Sequence, residues 1–221
     1  MSNDQFFYKN RAKKENELSR KRARRDSYDR VLIVCEGTKT EPQYLRKLID
    51  AFELNTANVE IDGSSGSSPI SVARHAKHRY KEEKLAGDKF DKVFCVFDKD
   101  THASYGSAID AISQSTPKGV FRAITSVPCF EYWLLLHFTY TTSPFVATGS
   151  RSACTKLITS LRQEYPAYTK DNANSYDDIK SHTERAIENS KRALKESQEI
   201  ERDNPSTLMH ELVEYLIHLK D

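Results

Sequence analysis

Between residues 31 and 138 the sequence alternates four apolar runs with four segments of helical spacing, and that alternation leaves few folds open. Val31-Leu32-Ile33-Val34-Cys35 is unbroken and β-branched, the pattern of a strand buried on both faces. Thr40-Glu41-Pro42 reads as a helix start: a capping Thr, an acid in the first turn, and a Pro where no backbone donor is missed. Tyr44, Leu45, Leu48, Ile49 and Phe52 continue that helix. Residues 58–62 alternate like a short strand, 63–68 form a flexible Gly/Ser loop, and Pro69 opens a helix reaching about Lys84. A third strand is predicted over 92–97 and a fourth over 119–125. Ala108, Ile109 and Ile112 mark the helix between them, and Pro128 opens the next, which carries Phe130 to Phe138. Such alternation implies an α/β fold, a parallel sheet flanked by helices on both faces. Beyond residue 140 the pattern becomes helical, over 151–165, about 179–201 and 206–219. The chain therefore divides into an arm (1–28), an α/β core (29–140) and a helical C-terminal extension packed on the core (141–221).

Ligands of parallel sheets gather at the carboxyl ends of the strands. Glu36 follows the first strand, and Asp98-Lys99-Asp100 follows the third. Two carboxylates two positions apart point to the same side of an extended chain. Such a pair repels unless something positive stands between them. That something is either solvent with Lys99 or a divalent cation. All three acids share one edge of the sheet if the first and third strands are neighbours.

Composition narrows the class. Apolar residues make up 38% and charged residues 30%, and the longest apolar run, Tyr132-Trp133-Leu134-Leu135-Leu136, is far shorter than a membrane span. The N-terminus is charged, without the apolar stretch of a signal peptide, so a cytoplasmic protein with no membrane partner is expected. Cys35, Cys95, Cys129 and Cys154 form no CxxC pair and are expected to be reduced thiols. The net charge of +2 conceals an asymmetry: residues 1–30 carry +5 and the remainder −3. The densest basic cluster is Arg20, Lys21, Arg22, Arg24 and Arg25. A basic arm on a mildly acidic body suits contact with phosphates; a solvated, frayed terminus is the plainer alternative.

An apolar strand ending in Glu-Gly, then an apolar strand ending in Asp-x-Asp, resembles the Toprim domain of topoisomerases, primases and overcoming-lysogenization-defect-type nucleases. The stretches LIVCEGTKTEPQYL (32–45), VFCVFDKD (93–100), PCFEYWLLLHF (128–138) and NPSTLMHELV (204–213) narrow this to a resemblance to the RloB-like family, covering roughly residues 28–218. That family consists of small bacterial proteins often found beside restriction–modification or phage-defence genes. The resemblance implies a Toprim-like catalytic core and a metal-dependent nuclease acting on DNA or on RNA such as tRNA. It also implies Mg²⁺ or Mn²⁺ as cofactor and an ATPase subunit as partner; a homo-oligomer is a further expectation. Asp98 and Asp100 would be metal ligands, and Glu36 either a ligand or the general acid/base. Hard oxygen donors of this kind suit those cations. The competing functional class is a non-catalytic Toprim-like binding subunit of a defence complex. A topoisomerase would need a tyrosine nucleophile on a further domain, for which the chain has no room.

The remaining candidates each have two readings. Glu131 interrupts an otherwise apolar helix: it belongs to a catalytic or second metal site, or it is a buried ion pair or helix-start acid. Glu41 has a direct role in the site or, the stronger reading, is explained by the helix dipole alone. Lys39 and Lys99 either neutralise a bound phosphate or are solvated loop lysines. His102 and His137 are proton carriers or, as is commoner for a lone His, surface or packing residues. The Gly63–Ser68 loop lacks the spacing and the GK[ST] of a P-loop, which argues against ATP hydrolysis by this chain.

Overall fold

The computed structural model describes residues 13, 15–20, 22–172 and 174–221. Lys21 of the basic arm and the apolar residues Phe6, Phe7 and Tyr8 lie outside that set. A five-stranded sheet runs in the order β2-β1-β3-β4-β5. The strands are β1 (Val31–Cys35), β2 (Val59–Asp62), β3 (Lys92–Asp98), β4 (Phe121–Val127) and β5 (Ser206–Thr207). The first four are parallel, and β5 pairs antiparallel to β4. The α/β expectation holds, and β1 and β3 are neighbours, in register from Val31↔Lys92 to Cys35↔Val96.

Alternation along the strands builds two cores. Val31, Ile33, Cys35, Phe94 and Val96 face one side of the sheet, while Leu32, Val34, Val93, Cys95 and Phe97 face the other. The second face is covered by α2 (Pro69–Leu85) and α3 (Tyr105–Ser113). On the first face lie α1 (Thr40–Ala51), α4 (Glu131–Leu135), α5 (Ala153–Glu164), α6 (Ser175–Ile179), α7 (Thr183–Glu199) and α8 (Met209–Ile217). Ser68 caps α2, its hydroxyl accepting from the Ser71 N–H, and Pro69 follows it in the first turn.

Three local expectations are corrected. Thr40 does not cap α1: it is the first helical residue, and its hydroxyl donates to Lys170 O at 3.0 Å. A long-range partner has taken the hydroxyl from its local one. Residues 206–207 are a strand rather than the start of the last helix, because the Thr125 carbonyl and the Ser126 side chain capture that segment at the edge of β4. Cys129 and Cys154 are not reduced thiols: packing of α4 on α5 brings these cysteines, 25 residues apart, to a Cα separation of 5.8 Å, and a disulfide joins them. Cys35 and Cys95 are free and buried. Among the described residues, no helix is long and apolar enough to cross a membrane.

Candidate active site

At the carboxyl edge of the sheet, β1 ends in a turn that needs Gly37 at φ +84°, a region L side chains rarely adopt. Gly63, at the end of β2, lets its backbone approach this turn so closely that an added Cβ would fall 2.3 Å from Gly37 O. The tight junction follows directly on Glu36, whose N–H still donates to Val96 O of β3 at 3.0 Å. At β3, pairing with the β4 segment persists past the strand: Lys99 N–H donates to Ser126 O and Asp100 N–H to Pro128 O. Asp100 adopts a positive φ of 29°, a conformation Asp tolerates better than most residues. Asp98 and Asp100 consequently line the same cleft, whereas Lys99 turns away to Asp203, 2.5 Å distant.

Glu36, Glu41, Asp98, Asp100 and Glu131 converge on one cleft of about 350 Å³, contributed by β1, α1, β3 and α4. Its basic side chains are Lys39, Lys170 and His102. Lys39 is paired with Asp171 at 2.7 Å. His102 Nε2 stands 3.2 Å from Glu36 Oε1, and the Asp98 amide points at Glu36 Oε2 from 3.5 Å. Burial pushes the Glu36 carboxyl above its ordinary range, with Asp100 adding to the shift and His102 and the Asp98 amide opposing it. Burial likewise raises Glu41 to about 7, reinforced by Glu131 and Glu36. Asp98 is pushed well above the carboxylate range by burial and by the charges of Glu41, Glu131 and Glu36. No trio of these acids gathers its oxygens within 4.8 Å of one another, as expected of like charges that repel.

A family model described as RloB-like protein matches residues 31–216. The chain belongs to the RloB-like family. Neither a curated protein nor a solved structure matches it. The matched segment of this RloB-like chain contains all five carboxylates and every element of the sheet.

Two cleft contacts of the RloB-like chain went unread in its sequence. Tyr168, 1% exposed, donates its hydroxyl to Glu131 Oε1 at 3.0 Å, and Lys170 Nζ stands 3.7 Å from the same oxygen. Both sit in the segment after α5, which the Thr40 and Lys39 contacts tether over the cleft. Cys154 Sγ lies 3.6 Å from the other Glu131 oxygen, so the disulfide lies against the carboxylate. His137 lies outside the cleft. It is fully buried against Trp133 and Tyr44, and burial lowers its pKa to about 4, the behaviour of a packing residue.

Arg22 and Arg25, in the described part of the basic arm, lie at the opposite edge of the sheet. Arg25 grips the buried Asp88, just before β3, through two bonds of 2.6 Å, and Arg22 donates to Gly87 O. Arg20 and Arg24 are exposed.

Tyr168→Phe should preserve the fold, read by circular dichroism, but deprive a buried carboxylate of its donor. If Glu131 works in the cleft, the Mn²⁺ concentration giving half-maximal activity should rise about 10–100-fold, the usual cost of losing a group that orients a ligand. An unchanged metal dependence would make the Tyr168 contact purely structural.

Proposed function

We propose that this RloB-like protein is a metal-dependent nuclease that hydrolyses phosphodiester bonds of nucleic acid. One observation carries the reading: five carboxylates converge at the carboxyl edge of a parallel sheet, outnumbering the basic residues Lys39, Lys170 and His102 that line the same cleft, and three of the acids have raised pKa values. The donor set fits a hard divalent cation, Mg²⁺ or Mn²⁺: it is all oxygen, partly buried, and in want of positive charge. Asp98, Asp100 and Glu36 would hold it, with Glu41 and Glu131 within the same cleft. When bound, such a cation supplies charge stabilisation to the phosphate and a more acidic water.

The protein's own groups do the rest. Glu36, with its pKa raised by burial and His102 alongside, is placed to take or return a proton. Lys170 and Lys39 offer ammonium groups to the phosphate at the mouth of the cleft. Tyr168 keeps the Glu131 carboxylate oriented. A role in bacterial antiphage defence beside an ATPase subunit follows from the company that RloB-like proteins keep, and belongs to the same proposal.

The test is incubation of purified protein with Mg²⁺ or Mn²⁺ and separate pools of tRNA, single-stranded DNA and duplex DNA. Cleavage should appear in at least one pool and vanish in EDTA. Glu36→Gln should lose about 10²–10⁴-fold in turnover while binding substrate in Ca²⁺ close to wild type, since a proton-transfer group acts mainly in the transition state. Binding without cleavage by wild type, in every pool and with either metal, would make the chain a nucleic-acid-binding subunit instead.

A further inference from the structure

Along α2 the positive charges stand apart from the negative ones. Arg74, Lys77, Lys81 and Lys84 follow at three- and four-residue steps, which aligns them on one stripe of the helix. At about 1.5 Å per residue the stripe is about 15 Å long. The acids nearby lie on another flank: Asp88 is matched by Arg25, Glu83 by Arg30, and Glu60 by Arg30 and Arg79, while Glu82, next to Lys81 on the helix, stands 3.2 Å from His78. Among the described residues the four stripe cations have no ion pair and no side-chain hydrogen bond. Three of them are exposed and Lys77 is half-buried.

Lys77, Lys81 and Lys84 line a groove of about 350 Å³ together with Gln114 and Thr116 of the turn before β4. Tyr80 and Phe121 also line it, with ring centroids 5.1 Å apart, and the buried Tyr80 hydroxyl has no hydrogen-bond partner. The loop leading into α2 is tied to the cleft edge, because the Ser65 hydroxyl donates to Cys35 O, the residue before Glu36. The helix thus enters from the cleft edge, and the groove lies toward its far end, beside Phe121 at the start of β4.

We propose that this groove is a docking track for the sugar–phosphate backbone of nucleic acid. Charge complementarity selects that occupant: a line of unpaired cations, on a body whose residues beyond 30 are net negative, attracts a polyanion with charges in a row. Contact through ammonium and guanidinium groups holds phosphates without reading bases, so docking is independent of sequence. The inference shares with the proposed function the assumption that the substrate is nucleic acid, but it does not require that the nucleic acid be cut.

The experiment compares three full-length proteins binding a labelled 20-nucleotide single strand and its duplex in Ca²⁺ across a salt series. They are wild type, K77Q/K81Q/K84Q, and the charge-matched control K156Q/R185Q/K195Q. Gln keeps helix propensity close to that of Lys, so thermal unfolding of the variants should match wild type. The track variant should bind about tenfold or more weakly at low salt, and its dependence of log K on log salt should flatten by about 2–3 units. The control should change little. Equal affinity and slope for wild type and track variant would overturn the track, as would an equal loss in the control, which would reduce the effect to net charge. Failure of wild type to bind either oligonucleotide would also overturn it. The two proposals separate cleanly: a track-dependent slope without cleavage keeps the track and removes the nuclease, and cleavage with an unchanged slope does the reverse.

Discussion

Asp98→Asn should abolish cleavage and, in EDTA, make the protein more stable than wild type. Loss of activity should reach at least about 10³-fold, equivalent to about 4 kcal/mol of transition-state stabilisation. The gain in stability comes from the surroundings of Asp98. Burial and the charges of Glu41, Glu131 and Glu36 hold this carboxyl protonated well above its ordinary range in the folded chain. The unfolded chain releases that proton near pH 4. The folded state therefore binds more protons, and stability falls as pH rises from the unfolded value toward the folded one. Glu41 contributes with the same sign between its ordinary value of 4.5 and about 7. Asparagine mimics the protonated side chain and removes the dependence at position 98. The advantage of the variant should thus be negligible at pH 4 and appear at pH 8 as a higher Tm. Mn²⁺ should raise the Tm of wild type at pH 8 and leave that of the variant nearly unchanged. Full cleavage by Asp98→Asn, with EDTA harmless to wild type, would remove the metal site from the account.

A chain ended after residue 140 should not fold. The core that covers one face of the sheet mixes Val31, Ile33, Phe94 and Val96 with Leu157, Leu161, Tyr168, Tyr176, Met209, Leu212, Val213 and Leu216, all buried. Without the second group, one face of α4, including Trp133 and Tyr132, meets water. Each lost large apolar side chain removes about 1.5–3 kcal/mol of burial, so eight of them amount to about 12–24 kcal/mol against the roughly 5–15 kcal/mol by which a domain is stable. The truncated chain should show no cooperative thermal transition and should bind a hydrophobic dye. A sharp unfolding transition with dispersed amide resonances would show that the first 140 residues form an independent domain.

The core of the sheet was legible because β1 and β3 announce themselves with runs of apolar residues, and Glu36, Asp98 and Asp100 because they sit where those runs stop. Glu131 stood out as an acid on an apolar helix. The rest of the cleft gave no such signal. Tyr168 and Lys170 belong to an irregular segment with no periodicity, and only the packing of α5 and the tether to Thr40 carry them to Glu131. Ser206–Thr207 escaped notice because polar residues in a two-residue strand have no apolar run to show. Local chemistry also misled: Thr40 reads as a cap, and the density of the basic arm does not reveal that Arg25 is held by an acid 63 residues away.

The position of β5 has a consequence for how the molecule comes into being. Thr207 meets Ser126 across a gap of 81 residues, so the edge of β4 stays open through most of translation. Contacts this distant in sequence form late, because a long loop must close before they are rewarded. The ribosome therefore delivers the acids of the cleft first, and Tyr168, which donates to Glu131, and the strand that pairs with β4 follow only later in the chain. A nascent or prematurely terminated chain would carry the acidic residues without the assembled site.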